Sequence, residues 1–221
     1  LFCKVLSETS RAADRSVMSS LSLSRLPLHV AWLVLATLAA ALFCAPGASA
    51  AVPNFKGSSA DGSTVFFETE EQLVPGDTDT KRDVYARSFE ESVGAYVTRE
   101  VSLGPTGGND AYAAQFEGTD DLGELVFFST EERMVAGDTD RSVDVYVREL
   151  DSGATTLVTQ GSSECAPGCG NKALSATFAD VDADGETVFF ETKEAPVDAD
   201  TDSSTDLYLR DLGEEETMLA S

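Results

Sequence analysis

Histidine is almost missing from this chain, which has 221 residues and a single one, His29. That residue lies in an apolar N-terminal stretch that reads as a cleavable export signal. Residues 51–221 therefore contain none, which excludes histidine-dependent acid–base catalysis and histidine metal sites there. Basic residues are also scarce, 15 Lys and Arg against 39 Asp and Glu. Residues 51–221 keep 11 of the basic and 37 of the acidic side chains, a formal charge of −26. A phosphate backbone would be repelled, and no basic stripe is present to receive one, so nucleic acid is excluded as a partner. The same acidity favours solubility and attracts cations and cationic partners. A high-salt habitat would produce the same balance. Helical periodicity is missing too, with no run of ~11 residues in this segment repeating at 3.6. There is no Gly-x-Ser-x-Gly elbow, and Gly94 and Gly107-Gly108 carry no phosphate-loop pattern. Acidic pairs suited to glycoside hydrolysis are so abundant that they discriminate nothing.

What is there begins with the signal. Arg25 supplies a positive region after Met18, an apolar run covers residues 30–43, and Ala48-Ser49-Ala50 closes it with small side chains. This predicts a signal helix over residues 18–50, cleaved after Ala50, and a secreted, periplasmic or cell-envelope location. Residues 1–17 read as a non-native upstream extension. The apolar run is shorter than the ~20 residues a span needs, and no basic cluster follows it, so no stable membrane anchor is expected after cleavage. Phe43 is too large to precede a lipidated Cys44.

The remainder is a tandem repeat. Val65-Phe66-Phe67, Val126-Phe127-Phe128 and Val188-Phe189-Phe190 each follow a Gly or Asp-Gly turn. Each is followed by an acidic loop and then by Asp83-Val84-Tyr85-Ala86-Arg87, Asp144-Val145-Tyr146-Val147-Arg148 or Asp206-Leu207-Tyr208-Leu209-Arg210. Phe55, Phe116 and Phe178 mark a first strand in each unit, and residues 96–98, 157–159 and 219–221 a fourth. The Val-Phe-Phe strand is apolar on consecutive positions, as expected of a strand buried on both faces. The Asp-x-Tyr strand alternates, as expected of one nearer the outside of its sheet. Four short antiparallel strands per unit, repeated, predict an all-β fold: a partial β-propeller of three four-stranded blades over residues 51–104, 105–161 and 162–221. A β-sandwich would explain the strands but not the three-fold spacing. Gly108-Asn109 and Gly170-Asn171 end the two linkers.

The Asp-Gly turn, Val-Phe-Phe strand, acidic loop and Asp-x-Tyr-x-Arg strand resemble the TolB-like, WD-related propeller repeats of secreted bacterial proteins. Residues 61–87, 120–150 and 184–212 carry the resemblance. It implies a noncatalytic binding scaffold outside the cytoplasm, and some related propellers precede a peptidase domain. Complete propellers have four to eight blades, so further blades or a second chain are expected to close the ring.

Three acidic sets recur in register: Asp77, Asp79 and Asp83; Asp138, Asp140 and Asp144; Asp200, Asp202 and Asp206. Aspartates in such turns either bond nearby backbone N–H groups and fix the loop, or supply hard oxygen ligands for Ca²⁺. Asp180, Asp182, Asp184, Gly185 and Glu191 match the spacing of an EF-hand loop. A strand follows them instead of a helix, so a strand-borne Ca²⁺ loop and a polar β-turn both remain open. Cys165 and Cys169 are the only cysteines of residues 51–221, and export predicts a disulfide that pinches one linker. Three functional readings follow: a secreted noncatalytic scaffold that binds a protein or other extracellular macromolecule, the propeller portion of a larger secreted hydrolase, and a Ca²⁺-stabilised structural module.

Overall fold

The computed structural model describes residues 52–163, 165, 169 and 171–221. The upstream extension, the signal segment and Gly170 lie outside the described residues. Every regular element described is a strand: β1 (Asn54–Ser58), β2 (Thr64–Thr69), β3 (Asp83–Glu90), β4 (Ala95–Glu100), β5 (Gln115–Thr119), β6 (Leu125–Thr130), β7 (Asp144–Glu149), β8 (Thr155–Leu157), β9 (Ala176–Val181), β10 (Thr187–Thr192), β11 (Asp206–Asp211) and β12 (Glu216–Leu219). They form three four-stranded antiparallel sheets, each with neighbours in sequence order. The all-β expectation and the three repeat units are borne out.

The repeat dictates the packing. Val126, Phe127 and Phe128 are all fully buried, as a strand with apolar side chains on both faces requires. One face of β6 meets the first sheet, and Phe128 and Tyr146 share a core with Phe66, Val84 and Val101. The other face meets the third sheet, where Phe127, Val145 and Val147 join Val188, Phe190 and Tyr208. β3 and β7 are interior strands as well, each paired on both edges. Their alternation thus marks no outer position: Val145 and Val147 face one neighbouring sheet, and Tyr146 faces the other.

Each junction is keyed by one aromatic. Phe116 stacks on Phe66 with centroids 5.3 Å apart, and Phe178 meets Phe127 at 5.8 Å. The glycine one step beyond the bulge in β1 and β5 makes room for that ring. A Cβ on Gly57 would stand 3.4 Å from Phe116 Cζ, and one on Gly118 3.2 Å from Phe178 Cζ. The third unit has Asp180 at this position, exposed on β9.

Backbone hydrogen bonds tie the sheets at both ends. Ala60 N donates to Asp121 O (2.8 Å) and Asp121 N to Ala183 O (2.9 Å). At the opposite end Ala114 N donates to Arg82 O and Ala176 N to Val143 O, each at 2.8 Å.

Candidate functional site

The loops joining β2 to β3, β6 to β7 and β10 to β11 each carry one acidic set, and the three loops share one geometry. Asp77 N, Asp138 N and Asp200 N donate to the carbonyls of Val74, Val135 and Val197, each at 3.2 Å. The following strand supplies a tyrosine. Tyr85, Tyr146 and Tyr208 donate to Oδ2 of Asp77, Asp138 and Asp200. The same hydroxyls lie 3.2, 3.1 and 2.9 Å from the carbonyls of Glu71, Glu132 and Glu194. The last aspartate of each set is held from the fourth strand's end: Ser102 Oγ donates to Asp83 (2.9 Å), Thr159 Oγ1 to Asp144 (2.7 Å) and Ser221 Oγ to Asp206 (3.2 Å). The middle aspartates close Asx-turns on Lys81 N, Ser142 N and Ser204 N. The turn-forming role is therefore present in all three loops.

These bonds also bring the carboxylates together. In each set one oxygen per aspartate lies within 4.8 Å of the others. The first two sets are largely buried, and the third is half-exposed. Asp180, Asp182, Asp184 and Glu191 form no such group among the described residues. Asp182 Oδ1 accepts from Thr187 N at 3.0 Å, the hairpin cap that Asp120 provides for Leu125 N (2.9 Å) and Ser59 for Thr64 N (3.1 Å). Asp184 accepts from Glu186 N at 3.5 Å, Asp180 from Val181 N at 2.9 Å, and Glu191 is exposed within β10. Cys165 and Cys169 are joined by the expected disulfide.

Two further residue types matter here, a glutamate that the sequence did not single out and the asparagine that ends each linker. Glu132, buried, accepts from the backbone N–H groups of Gly108, Asn109 (3.1 Å) and Asp110 (3.0 Å), gripping the linker between the first two sheets. Glu194 holds Lys172 N at 2.8 Å in the next linker. Glu71, Glu132 and Glu194 occupy one repeat position, the signal that would have found them. The second is the linker asparagine. Asn109 accepts from Thr78 N and Oγ1, and Asn171 from Thr139 N, so each linker is stapled to the preceding acidic loop.

Crowding these acids together shifts them. Burial pushes Asp83 and Asp144 up to about 7, opposed by their hydroxyl donors and reinforced by the neighbouring aspartates. Burial raises Glu194 to about 7, and burial with Asp83, Asp77 and Asp79 raises Glu100 to about 8. Each therefore keeps a proton in the folded state at a pH where the unfolded chain has lost it. The stability this gives is complete below the ordinary carboxylate range and disappears as pH rises through 7–8. In the presence of a chelator, the melting temperature is expected to fall by several degrees between pH 5 and pH 8. Calorimetry in about 0.5 M salt, where general repulsion is screened to within a few Å, should retain the fall. A flat profile would contradict it.

No protein-family model matches this chain, and no curated protein matches it. A groove of about 880 Å³ lies at one end of the first and second sheets, lined by Arg87, Phe89, Tyr96, Arg99, Leu122 and Leu150 among others. Phe89 and Tyr96 are 52% and 62% exposed and meet edge to face at 5.4 Å. The Arg87 guanidinium lies 5.7 Å over the Tyr96 ring.

Proposed function

We propose that the three sheets are blades of a β-propeller and that the chain is an exported, noncatalytic scaffold for a protein or another extracellular macromolecule. The groove bearing Phe89, Tyr96 and Arg87 carries this reading. Two large exposed aromatics beside arginine are the composition of binding hot spots. Glu90, Glu124 and Asp151 line the same groove, and Glu90 pairs with Arg99, so the aromatic pair with Arg87 over Tyr96 is what distinguishes it. The face-to-face stacking of successive up-and-down sheets, with one aromatic keyed into each junction, supports the propeller and agrees with the TolB-like repeat pattern.

The outer faces of the first and third sheets support completion by further blades or a second chain. Phe55 is 66% exposed and occupies the position from which Phe116 and Phe178 key into a preceding sheet. Phe189, Leu207 and Leu209 are only half-buried where Phe127 and Val145 are covered. A neighbour on the third sheet has to accommodate Asp180 in place of glycine, so that contact differs in detail from the two internal junctions.

The test is cross-linking mass spectrometry on the full chain in its extracellular medium, followed by affinity measurement with the cross-linked partner. The double variant Phe89→Ala/Tyr96→Ala is expected to weaken that partner about 30-fold or more, the hot-spot range, with an unchanged melting temperature. A partner that binds wild type and variant equally would refute the groove. Hydrolytic turnover by residues 51–221 would refute the noncatalytic reading.

A further inference from the structure

We propose that the acidic loop of the first unit is a Ca²⁺ site completed by Glu100. Asp77, Asp79 and Asp83 each place one carboxylate oxygen within 4.8 Å of the others. Oxygens on opposite sides of a Ca²⁺ ion, each at roughly 2.3–2.6 Å, stand about 4.6–5.2 Å apart. The spacing suits ligands of one ion.

Glu100 is the independent observation. It lies outside the loop, at the end of β4, and is only 6% exposed. Neither of its carboxylate oxygens has a hydrogen-bond partner. Its register opposite Tyr85, whose hydroxyl holds Asp77, sets it against the loop. Glu100 Oε2 lies 4.0 Å from where a Cβ on Gly76 would stand, beside Asp77. Asp83, Asp77 and Asp79 are the charges that bear on it most, opposed more weakly by Arg148. The Arg148 guanidinium is already committed to the carbonyls of Leu103 and Gly153. Two further buried oxygens of the same loop, Asp77 Oδ1 and Asp83 Oδ2, also lack partners. Orphaned buried carboxylate oxygens from three residues at one place are costly unless a cation compensates them.

The other two units show that the fold does not need an acid there. Their residues opposite the tyrosine are Leu157 and Leu219. In the second loop the only orphan is Asp140 Oδ2, and the third loop has none among the described residues. The Glu at position 100 thus marks the first loop apart. The donors are all oxygens, which selects a hard cation. Three carboxylates on an irregular loop and a fourth at a strand end suit the flexible, high-coordination shell of Ca²⁺ better than the rigid octahedron of Mg²⁺. The site stands whether or not the aromatic groove binds a partner, because its readout is the ion alone.

The test is titration of metal-free full-length chain with CaCl₂ and, separately, MgCl₂, by isothermal calorimetry with parallel melting curves. Wild type is expected to bind one Ca²⁺ in preference to Mg²⁺. At free Ca²⁺ about 100 times the dissociation constant, the melting temperature should rise by roughly 5–10 °C for a chain of this size. Glu100→Leu is expected to weaken Ca²⁺ about 10-fold or more and, in chelator, to melt above wild type, since a buried carboxyl group without hydrogen-bond partners is gone. Asp79→Asn, which changes a partly exposed ligand and leaves the core intact, should weaken binding to a similar degree. Absence of binding at millimolar Ca²⁺, equal affinity for Mg²⁺, or unchanged affinity in either variant would overturn the site.

Discussion

Replacing Glu132 with alanine is expected to cost about 3–5 kcal/mol, the scale of losing a buried acceptor shared by three backbone amides, and to loosen the junction between the first and second sheets. Glu132 is 4% exposed, and its Oε1 is the acceptor for three consecutive linker amides, Gly108, Asn109 and Asp110. The turn that presents them needs Gly108 at φ 121°, in the region that favours glycine. Alanine at 132 removes the acceptor that all three amides share. Hydrogen bonds to a charged group each contribute about 1.5–3 kcal/mol, and orphaned buried donors add their own desolvation cost. Glu132→Gln keeps a carbonyl oxygen in place and should lose about half as much. Urea denaturation measures the loss, and hydrogen exchange at the amides of residues 108–110 locates it. A cost under about 1 kcal/mol, or exchange that accelerates elsewhere first, would mean the linker is held by something other than this carboxylate.

Phe127→Ala is the second large effect, with an expected loss of about 3–5 kcal/mol. The ring is fully buried and meets Phe178 of the third sheet at 5.8 Å, within a core of Val145, Val147, Val188 and Phe190. Truncation removes apolar area and leaves a cavity that two hydrogen-bonded sheets cannot close. The repeat supplies its own control. Phe189 occupies the same position in the third unit but is only half-buried. Its alanine variant should cost less than half as much, because solvent fills the space. Equal losses at the two positions would show that the outer face of the third sheet is as tightly packed as the internal junctions. Both variants are read from the shift in urea midpoint at constant m-value.

Much of this was legible in the chain. Consecutive apolar positions in Val126-Phe127-Phe128 required burial on two faces, and only stacked sheets supply that. The spacing of the tyrosines located every third strand, and the recurrent aspartates located every acidic loop. Strand position within a sheet was not legible. Val145 and Val147 alternate with Tyr146 and Arg148, which reads as one-sided burial. In the structure Val145 and Val147 pack against one neighbouring sheet and Tyr146 against the other. The glutamates at positions 132 and 194 were invisible for a related reason. A Glu in an acidic chain looks solvated until the fold brings a linker's N–H groups to it.

The sequence by itself determined the all-β class and the three units, because periodicity and spacing are local properties, and export chemistry gave the disulfide between Cys165 and Cys169. Only the tertiary structure decided which acids matter. Asp180, Asp182, Asp184 and Glu191 have the better spacing on paper, yet they cap a hairpin or stay in solvent. Asp77, Asp79 and Asp83 converge because Tyr85 on the following strand and Ser102 beyond β4 pull two of them inward. Glu100 joins them because antiparallel pairing sets it opposite Tyr85. Ligand geometry is a product of pairing across strands, and no spacing along one strand encodes it.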